Sequence, residues 1–293
     1  MNAPLAVTAS GIYTAIKMIA DPRDLVPPNS GCWRPVELRA EPGTVVNAVE
    51  PAPVVYANHE ISHRVCDMLF GALAPLAPDR VMACSQGTSA ILTLGGVDYR
   101  TGGRYVSYET IKGGFGARPT KDGINGQSSG ISNTMNTPIE ILEMSFPVRV
   151  ERYALLTDSG GPGRHRGGCG SERVWRVLGR PTQASVCLER TKSAPFGLFG
   201  GGAGSPGRVT VTAPDGVERE LTSKGSFAAA AGAVIALRAP GSGGYGAAGE
   251  RDPARLRDDV VNGYVSAESA ARDYGERAAL ACPHCPPTSS TPR

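Results

Sequence analysis

Carboxylates, amides and arginines alternate with glycines between residues 112 and 168, a combination that suits acid–base chemistry on a carbonyl group. Carboxylates act as general acids or bases, amides donate hydrogen bonds to a developing oxyanion, and arginines hold carboxylate or phosphate groups. Glycines there indicate tight turns or a backbone that closely approaches a ligand. We therefore predict a functional surface with catalytic residues Asp122, Asn136, Glu140 and Asp158, and substrate-binding residues Gly114, Gly116, Arg118 and Arg166.

Within this set, each polar residue has an expected role. Asp122 and Asp158 are acid–base groups or support such groups, Asn136 donates to an oxyanion, and Arg166 anchors a carboxylate. The same residues also fit a structural interpretation. Asp122-Gly123 is a turn sequence, asparagines often occupy turns and helix caps, and Glu140 and Asp158 can pair with nearby arginines. Both interpretations stay open at this point.

A second candidate site is the sequence His59-Glu60-Ile61-Ser62-His63, which fits the HExxH pattern. On a helix, the two imidazoles would lie one turn apart and bind zinc, and the glutamate would activate the bound water. The metzincin continuation is missing, because Cys66 and Leu69 stand where it needs glycine and histidine. The alternative is a solvated helix face with two ordinary histidines, and we assign no metal ligand.

Two glycine-rich stretches resemble nucleotide-binding motifs but lack essential parts. Gly241-Ser-Gly-Gly-Tyr-Gly246 fits GxGxxG, yet the residues after it do not predict the helix that would hold a pyrophosphate. Gly200-Gly-Gly-Ala-Gly204 has no following Lys-Ser or Lys-Thr, so it is not a P-loop. We expect this chain alone to bind no cofactor.

Composition excludes several classes of protein. The net charge of +3 over 293 residues is too small to indicate a nucleic-acid or anionic-membrane partner. We find no apolar run near the roughly 18 residues that a membrane span needs, and no basic leader at the N-terminus. Seven widely spaced cysteines do not form the pattern of a disulfide framework, so we expect a cytoplasmic protein.

The order of predicted elements indicates an α+β fold, with helices early, a β-rich middle and second half with glycine-rich loops, and short helices at the C-terminal end. Apolar spacing predicts a helix over Ala6–Ile19 and another that Asn58 caps and Pro75 ends. Short helices are expected after Asp252-Pro253 and after Ser266.

Strands are recognised by alternating apolar residues between glycine turns. Asp215-Gly216 additionally predicts a hairpin between residues 208–212 and 217–221. The predicted strands cover residues 34–39, 104–111, 146–156, 173–178, 184–189, 209–212 and 234–237.

Several separate motifs, in order along Ala6 to Gly275, resemble the B subunit of the hydantoinase/oxoprolinase family. They are Pro28-Asn-Ser-Gly31 with Arg34-Pro35, Gly113-Gly-Phe-Gly-Ala-Arg118 with Asp122-Gly123, Asn136-Thr-Pro-Ile-Glu140 with Glu143, Asp158-Ser-Gly-Gly-Pro-Gly163 with Arg166-Gly-Gly168, Pro195-Phe-Gly-Leu198, Gly243-Gly-Tyr-Gly246 and Tyr274-Gly275.

This resemblance implies ATP-coupled opening of a cyclic amide, a lactam or imide such as a hydantoin or 5-oxoproline, together with an A-type subunit that binds ATP. It also implies that residues 1–275 correspond to the C-terminal portion of a B subunit, with a possible sub-boundary near 170–180, and that residues 276–293 form a disordered tail. A divalent metal is expected in the full complex, held by the N-terminal portion that this chain lacks. The chain alone is expected to be inactive.

Three alternatives remain beside this function. The first is a zinc metallopeptidase that uses His59, Glu60 and His63. The second is a non-catalytic assembly fragment whose glycine loops only pack against a partner. The third is a subunit of a related acetone or acetophenone carboxylase.

Overall fold

A computed structural model describes residues 1–275 and residue 277 of the chain. Within them, three helices precede the first strand, a short helix lies between the second and third strands, and short helices follow the last strand. The α-helices are α1 (Leu5–Ala20), α2 (Ser30–Trp33), α3 (Ala57–Leu73), α4 (Ile139–Ser145), α5 (Pro253–Val261) and α6 (Ala267–Tyr274). The strands are β1 (Ile91–Val97), β2 (Arg104–Thr110), β3 (Val148–Leu155), β4 (Ser171–Val177), β5 (Thr182–Cys187), β6 (Arg208–Thr212), β7 (Glu218–Glu220), β8 (Lys224–Ala229) and β9 (Val234–Arg238).

Helices α1 and α3 pack against each other through small and apolar side chains. Ala15 of α1 and Phe70 of α3 are almost fully buried in one cluster with Met82. A methyl group on Gly11 of α1 would lie 2.9 Å from the carbonyl oxygen of Ser62, so the glycine lets the two helix backbones approach closely. This contact fixes the orientation of α3, which carries the HExxH sequence.

The strands form two sheets whose inner faces share the main hydrophobic core. One sheet has the order β2-β1-β5-β8, the other the order β3-β4-β9-β6-β7, and all neighbouring strands in these orders are antiparallel. Leu92 and Val186 of the first sheet lie in one buried cluster with Trp175 and Ile235 of the second. The α+β prediction is confirmed.

Most predicted elements are present, and the exceptions have local causes. The predicted strand at 34–39 is wrong: Ser30–Trp33 form α2, capped by Asn29 Oδ1, which accepts from the Gly31 amide at 2.8 Å. Tyr56, with φ of 66°, is the cap residue of α3, so the assignment of Asn58 as its cap is also wrong. The hairpin at Asp215-Gly216 and the cap at Ser266 are confirmed.

Hydrogen-bonded strands connect the two sides of the predicted sub-boundary near 170–180. Strand β4, which spans most of that region, pairs with β3 on one side and with β9 on the other. The predicted tail lies outside the described residues except for Arg277. Among the described residues, none of the helices has the length and apolar character that a membrane span requires.

Candidate functional site

The glycine-rich loops predicted to bind substrate are packed against other backbone segments. A methyl group on Gly114 would lie 2.1 Å from the carbonyl oxygen of Gly168, and one on Gly116 would lie 1.8 Å from that of Ala83. The Gly114 amide donates to Pro240 O at 2.9 Å. Gly114 and Gly116 therefore bring three chain segments into contact, and their lack of a side chain is explained by that packing.

Asp122 lies in an ion-pair network with two buried arginines. Its two carboxylate oxygens accept from Arg251 at 2.8 and 3.1 Å, and the backbone amide of Arg166 donates to it at 2.7 Å. The side chain of Arg166 pairs instead with Asp259, which also pairs with Arg251. The network thus ties the loop of Asp122 to helix α5.

Charge in this network keeps Asp122 ionised. Burial raises the pKa of Asp122, but the hydrogen bond and charge of Arg251 outweigh burial and leave the pKa below its usual value. Burial lowers the pKa of Arg251, but the charges of Asp122 and Asp259 raise it by more than burial lowers it, so the net shift is upward. A carboxylate held in its charged form by a fully buried guanidinium is suited to structure more than to proton transfer.

The remaining predicted residues are attached elsewhere. Asn136 is exposed and donates to the Tyr153 hydroxyl at 2.8 Å. Asp158, with φ of 61°, accepts from the Ser266 amide at 2.7 Å and so connects its loop to the start of α6. Glu140 is exposed in the first turn of α4.

Of the eight predicted residues, Asp122, Arg118 and Arg166 are connected to one another by hydrogen bonds that involve the backbone. Arg118 Nη2 donates to the backbone oxygen of Asp122 at 3.1 Å. The hydrogen bonds of Asn136 and Asp158 connect them to Tyr153 and Ser266, in other parts of the fold. The catalytic and substrate-binding roles of the eight residues stay predictions.

A different concentration of polar groups lies where helix α3 packs on the buried segment 81–90. Along this contact, side chains of three neighbouring stretches of chain meet α3 inside the protein. We call this set the polar seam: His59, Glu60, His63, Thr88, Ser89, Lys112 and Ser129.

Glu60 is the most deeply buried acid of the polar seam. Its side chain is 1% exposed, and Oε1 accepts from Thr88 Oγ1 at 2.9 Å and from the Ser89 amide at 3.3 Å. Its other oxygen, Oε2, is buried and has no hydrogen-bond partner. Burial raises the pKa of Glu60 to about 7, although the hydrogen bonds from Thr88 and Ser89 act in the opposite direction.

Lys112 and Ser129 reach the polar seam together because the backbone pairs Gly113 with Gln127. Ser129 hydrogen-bonds Nδ1 of His63, and Lys112 Nζ donates to Thr110 Oγ1 at 3.0 Å. Burial lowers the pKa of Lys112 to about 8, against the charge of Glu109. Burial and the charges of His59 and Lys112 lower the pKa of His63 to about 4.

At the end of the polar seam that is nearest to solvent, His59 contacts Tyr108, which lies outside the seam. The Tyr108 hydroxyl lies 3.1 Å from His59 Nε2, and Tyr108 is 45% exposed. Burial raises the pKa of Tyr108 to about 12, with smaller effects of Tyr56, Cys187 and Glu60.

The HExxH sequence is helical, as predicted, but its surroundings do not fit a zinc site. Within residues 1–275 and 277, no three His, Cys, Asp or Glu side chains converge closely enough to hold a metal ion. Glu60 binds the Thr88 hydroxyl and His63 the Ser129 hydroxyl, so both are engaged by neutral groups. The divalent metal that the resemblance implies for the full complex, held by a portion outside this chain, stays a prediction.

The polar seam is not predicted from the sequence. The sequence predicts His59, Glu60 and His63 either as zinc ligands or as part of a solvated helix face, and it predicts no role for Lys112. The available signal was the run of small polar residues at 84–89, which is buried throughout. Such a run without proline, asparagine or aspartate, shortly before the apolar residues Ile91 and Leu92, indicates buried hydrogen bonding.

Comparisons with known proteins give a consistent picture. The family model described as Hydantoinase B/oxoprolinase matches residues 1–248. The chain is 33% identical over 94% of its length to caprolactamase subunit beta of Pseudomonas jessenii, covering 48% of that protein. It is 35% identical over 84% of its length to 5-oxoprolinase 1 of Arabidopsis thaliana, covering 18% of it.

The fold is likewise similar to a solved structure. The crystal structure of the ATP-dependent caprolactamase from Pseudomonas jessenii matches 94% of this chain with a TM-score of 0.82 and 31% identity, and the match covers 48% of that chain. The chain spans about half the length of the first curated relatives that it matches, at 47% in each case.

Proposed function

This chain belongs to the hydantoinase B/oxoprolinase family, and from that premise we propose that it is part of an ATP-dependent enzyme that opens cyclic amides. The observation that carries the proposal is the similarity of 94% of the chain to an ATP-dependent caprolactamase. In this proposal an A-type subunit binds ATP and a further B-type portion completes the active site. The chain alone is inactive, and the substrate is a lactam or imide such as a hydantoin or 5-oxoproline.

The chemistry explains why ATP is needed. An amide carbonyl is a poor electrophile because the nitrogen lone pair delocalises into it. Transfer of the γ-phosphoryl group of ATP to the carbonyl oxygen gives a better electrophile and releases ADP. Water then attacks the carbon and the ring carbon–nitrogen bond breaks, which gives an acyl phosphate, and a second water hydrolyses this acyl phosphate to the carboxylate and inorganic phosphate. The attacking water must lose a proton and the ring nitrogen must gain one, so the site needs a group that exchanges protons near neutral pH.

In the proposal, Glu60 exchanges that proton. A carboxyl group with a pKa of about 7 is present in both protonation states at neutral pH, which is the condition for efficient general acid–base catalysis. Its buried Oε2 has no geometric hydrogen-bond partner within the described part of the protein, and the thiol of Cys187 interacts with the same carboxyl group. His59 and Tyr108 connect the seam to its partly open end.

The sequence-predicted groups Asp122, Asn136, Glu140 and Asp158 are the competing candidates. None of them has both a buried side chain and an oxygen without a partner among the described atoms. The bonds of Asp122 to Arg251 support a structural role, and those of Asn136 and Asp158 connect elements of the fold. The polar seam therefore has the stronger support as the place of proton transfer.

The test is ATP-dependent ring opening by the chain reconstituted with an A-type subunit and the remaining B-type portion. Hydantoin, 5-oxoproline and a simple lactam are supplied, and ADP and ring-opened product are measured together. We expect Glu60→Gln to lower the rate by about 100- to 10,000-fold, the range of general acid–base catalysis. Glu41→Gln, which changes an exposed carboxylate, is the matched control and should leave the rate unchanged.

Other outcomes decide between the alternatives. ADP formation that requires a ketone and bicarbonate, with no ring opening, would identify a carboxylase. Full activity of a complex with a deletion of residues 112–123 that still assembles would identify this chain as an assembly fragment. Peptide cleavage by the isolated chain that depends on His59 would restore the metallopeptidase.

A further inference from the structure

The surface that borders the solvent-facing end of the polar seam is apolar. Val55, shortly before helix α3, and Val106, in strand β2, are each 69% exposed, and Tyr108 is 45% exposed. Val54 and Tyr56 flank Val55 in the chain, and Val54 is exposed as well. We call these five residues the apolar rim: Val54, Val55, Tyr56, Val106 and Tyr108. Exposed apolar side chains that are grouped on one surface mark an interaction site, whereas singly scattered ones do not.

The two parts of the apolar rim meet at His59 and form one surface. The centroid of the His59 ring lies 6.3 Å from that of Tyr56 and 6.1 Å from that of Tyr108. Val106 and Tyr108 are two residues apart on β2, so their side chains lie on the same face of the sheet. Because His59 belongs to the polar seam, the apolar rim borders the seam where it is nearest to solvent.

Strand β2 adds an unpaired edge to this surface. It pairs with β1 on one side, and within the described part of the chain no strand or isolated bridge pairs with its other side. Edge strands are commonly protected by charges, prolines or bulges. The pairing of β2 with β1 is regular over seven residues, the strand has no proline, and its exposed face is charged only at Arg104. Such an edge can accept a strand from a partner.

The length of the relatives indicates which partner covers this surface. The chain covers 48% of caprolactamase subunit beta and 47% of the first curated relatives, so about as much polypeptide again belongs to the same chain in those proteins. Portions that one polypeptide joins meet at a high effective concentration. The apolar rim has no charged side chain, which suits a partner that stays in contact more than one that binds and leaves.

We infer that the apolar rim and the free edge of β2 form the docking surface for the remaining portion of the B-type subunit, which adds a strand to β2 and covers His59. The existence of that portion rests on the proposed function; the surface and the mode of contact are additional to it. Strand addition supplies main-chain hydrogen bonds, and the side chains of the rim give the contact its specificity.

The test measures binding in the absence of ATP and substrate, so its result is separate from ring opening. The full chain is titrated by calorimetry with the purified remaining B-type portion and, separately, with the A-type subunit. We expect the remaining portion to bind and to slow amide hydrogen exchange in residues 104–110, because edge amides of β2 become hydrogen-bonded. A contact made by side chains alone would leave that exchange unchanged.

Variants test the assigned surface. Val106→Asp and Val55→Asp should each weaken binding of the remaining portion by about tenfold or more, because each would bury a charge in an apolar contact. Val217→Asp is the matched control, since Val217 is 64% exposed between β6 and β7 of the other sheet, and it should bind as the wild type does. If Val106→Asp fails to fold, Val55→Asp decides, because Val55 lies outside the strands.

Four results would overturn the inference. The remaining portion does not bind, or it binds both rim variants as tightly as the wild type. The isolated chain self-associates in ultracentrifugation and both rim variants abolish this, which would assign the rim to a second copy. The rim variants lose affinity only for the A-type subunit. By contrast, a complex that assembles as expected and opens no ring would count against the proposed function and leave this inference standing.

Discussion

Replacing Asp122 with asparagine should destabilise the fold, because it removes one of the two carboxylates that neutralise Arg251. The side chain of Arg251 is 0% exposed and that of Asp122 is 23% exposed. Removing one partner of a buried ion pair costs about 3–5 kcal/mol when the other charge is left uncompensated. Since Asp259 still pairs with Arg251 and Asp122 is partly solvated, we expect a loss of about 2 kcal/mol in the free energy of unfolding.

The pH dependence of this loss has a definite sign. Arg251 holds the pKa of Asp122 below its usual value in the folded protein, so the stabilisation is present above the unfolded pKa of about 3.9. It decreases as the pH falls through the folded pKa, because the protonated carboxyl no longer pairs with Arg251. Urea denaturation of both proteins, followed by circular dichroism from pH 7 to pH 3, measures the difference at each pH.

Glu41→Gln is the control, since it removes an exposed carboxylate and should change stability by less than about 0.5 kcal/mol. The reasoning is refuted if Asp122→Asn unfolds at the same denaturant concentration as the wild type at pH 7. A deficit that does not shrink on acidification would also contradict it. Loss of enzyme activity in this variant identifies a catalytic Asp122 only if the folded fraction is unchanged under the assay conditions.

Three further substitutions test the packing and the buried charges. Because the pKa of Glu60 is raised to about 7, the wild type should lose about 3 kcal/mol in the free energy of unfolding, relative to Glu60→Gln, as the pH rises from about 4.3 to 7. Parallel curves of unfolding free energy against pH for the two proteins would contradict this. Because the pKa of Lys112 is lowered to about 8, Lys112→Met should be more stable than the wild type at pH 7, and this gain should disappear as the pH rises toward about 10.4. A gain that is the same at every pH in denaturation experiments would point to packing alone. Gly116→Ala should lower the free energy of unfolding by about 3 kcal/mol or more, because its methyl group would lie 1.8 Å from Ala83 O. Gly249→Ala is the control, because its methyl group would have no atom within 4 Å. Equal melting temperatures of the two variants would disprove the packing argument.

Local sequence signals were sufficient for the elements that their own residues stabilise. Helices α1 and α3 follow from apolar spacing, and the cap at Ser266 from its hydroxyl, which accepts from the Ser269 amide. Strand β8 was not predicted, because Lys224–Ala229 contains glycine, serine and alanine and few strand-forming residues. It is a strand because each of its residues pairs with one of β5, and pairing partners distant in sequence are not visible in a local pattern.

In the candidate site, too, local sequence signals predict some features, while contacts between distant segments determine the others. Spacing on one helix placed His59 and His63 one turn apart, which is correct for α3. The groups that meet them come from elsewhere: Ser129 lies 66 residues from His63, and Thr88 lies 28 residues from Glu60. Conversely, the glycines and carboxylates of residues 112–168 are close together in sequence, but several of them have structural roles. Backbone packing explains Gly114 and Gly116, and the ion pair with Arg251 explains Asp122. Density of polar residues along the chain is therefore a weaker guide to a site than unsatisfied polar atoms in the fold.

Two groups of buried charges in this protein should respond oppositely to substitution. Around Arg251, each charge has an oppositely charged partner, so removing a carboxylate should lower stability. In the polar seam, Glu60 keeps an oxygen without a partner and Lys112 only a neutral one, so neutral replacements should raise stability. Groups that reduce stability are retained where function needs them. A Glu60 variant that is more stable than the wild type at pH 8 but slower in ring opening would show a catalytic role separate from a structural one. A variant that lost both stability and ring-opening activity would not distinguish the two roles.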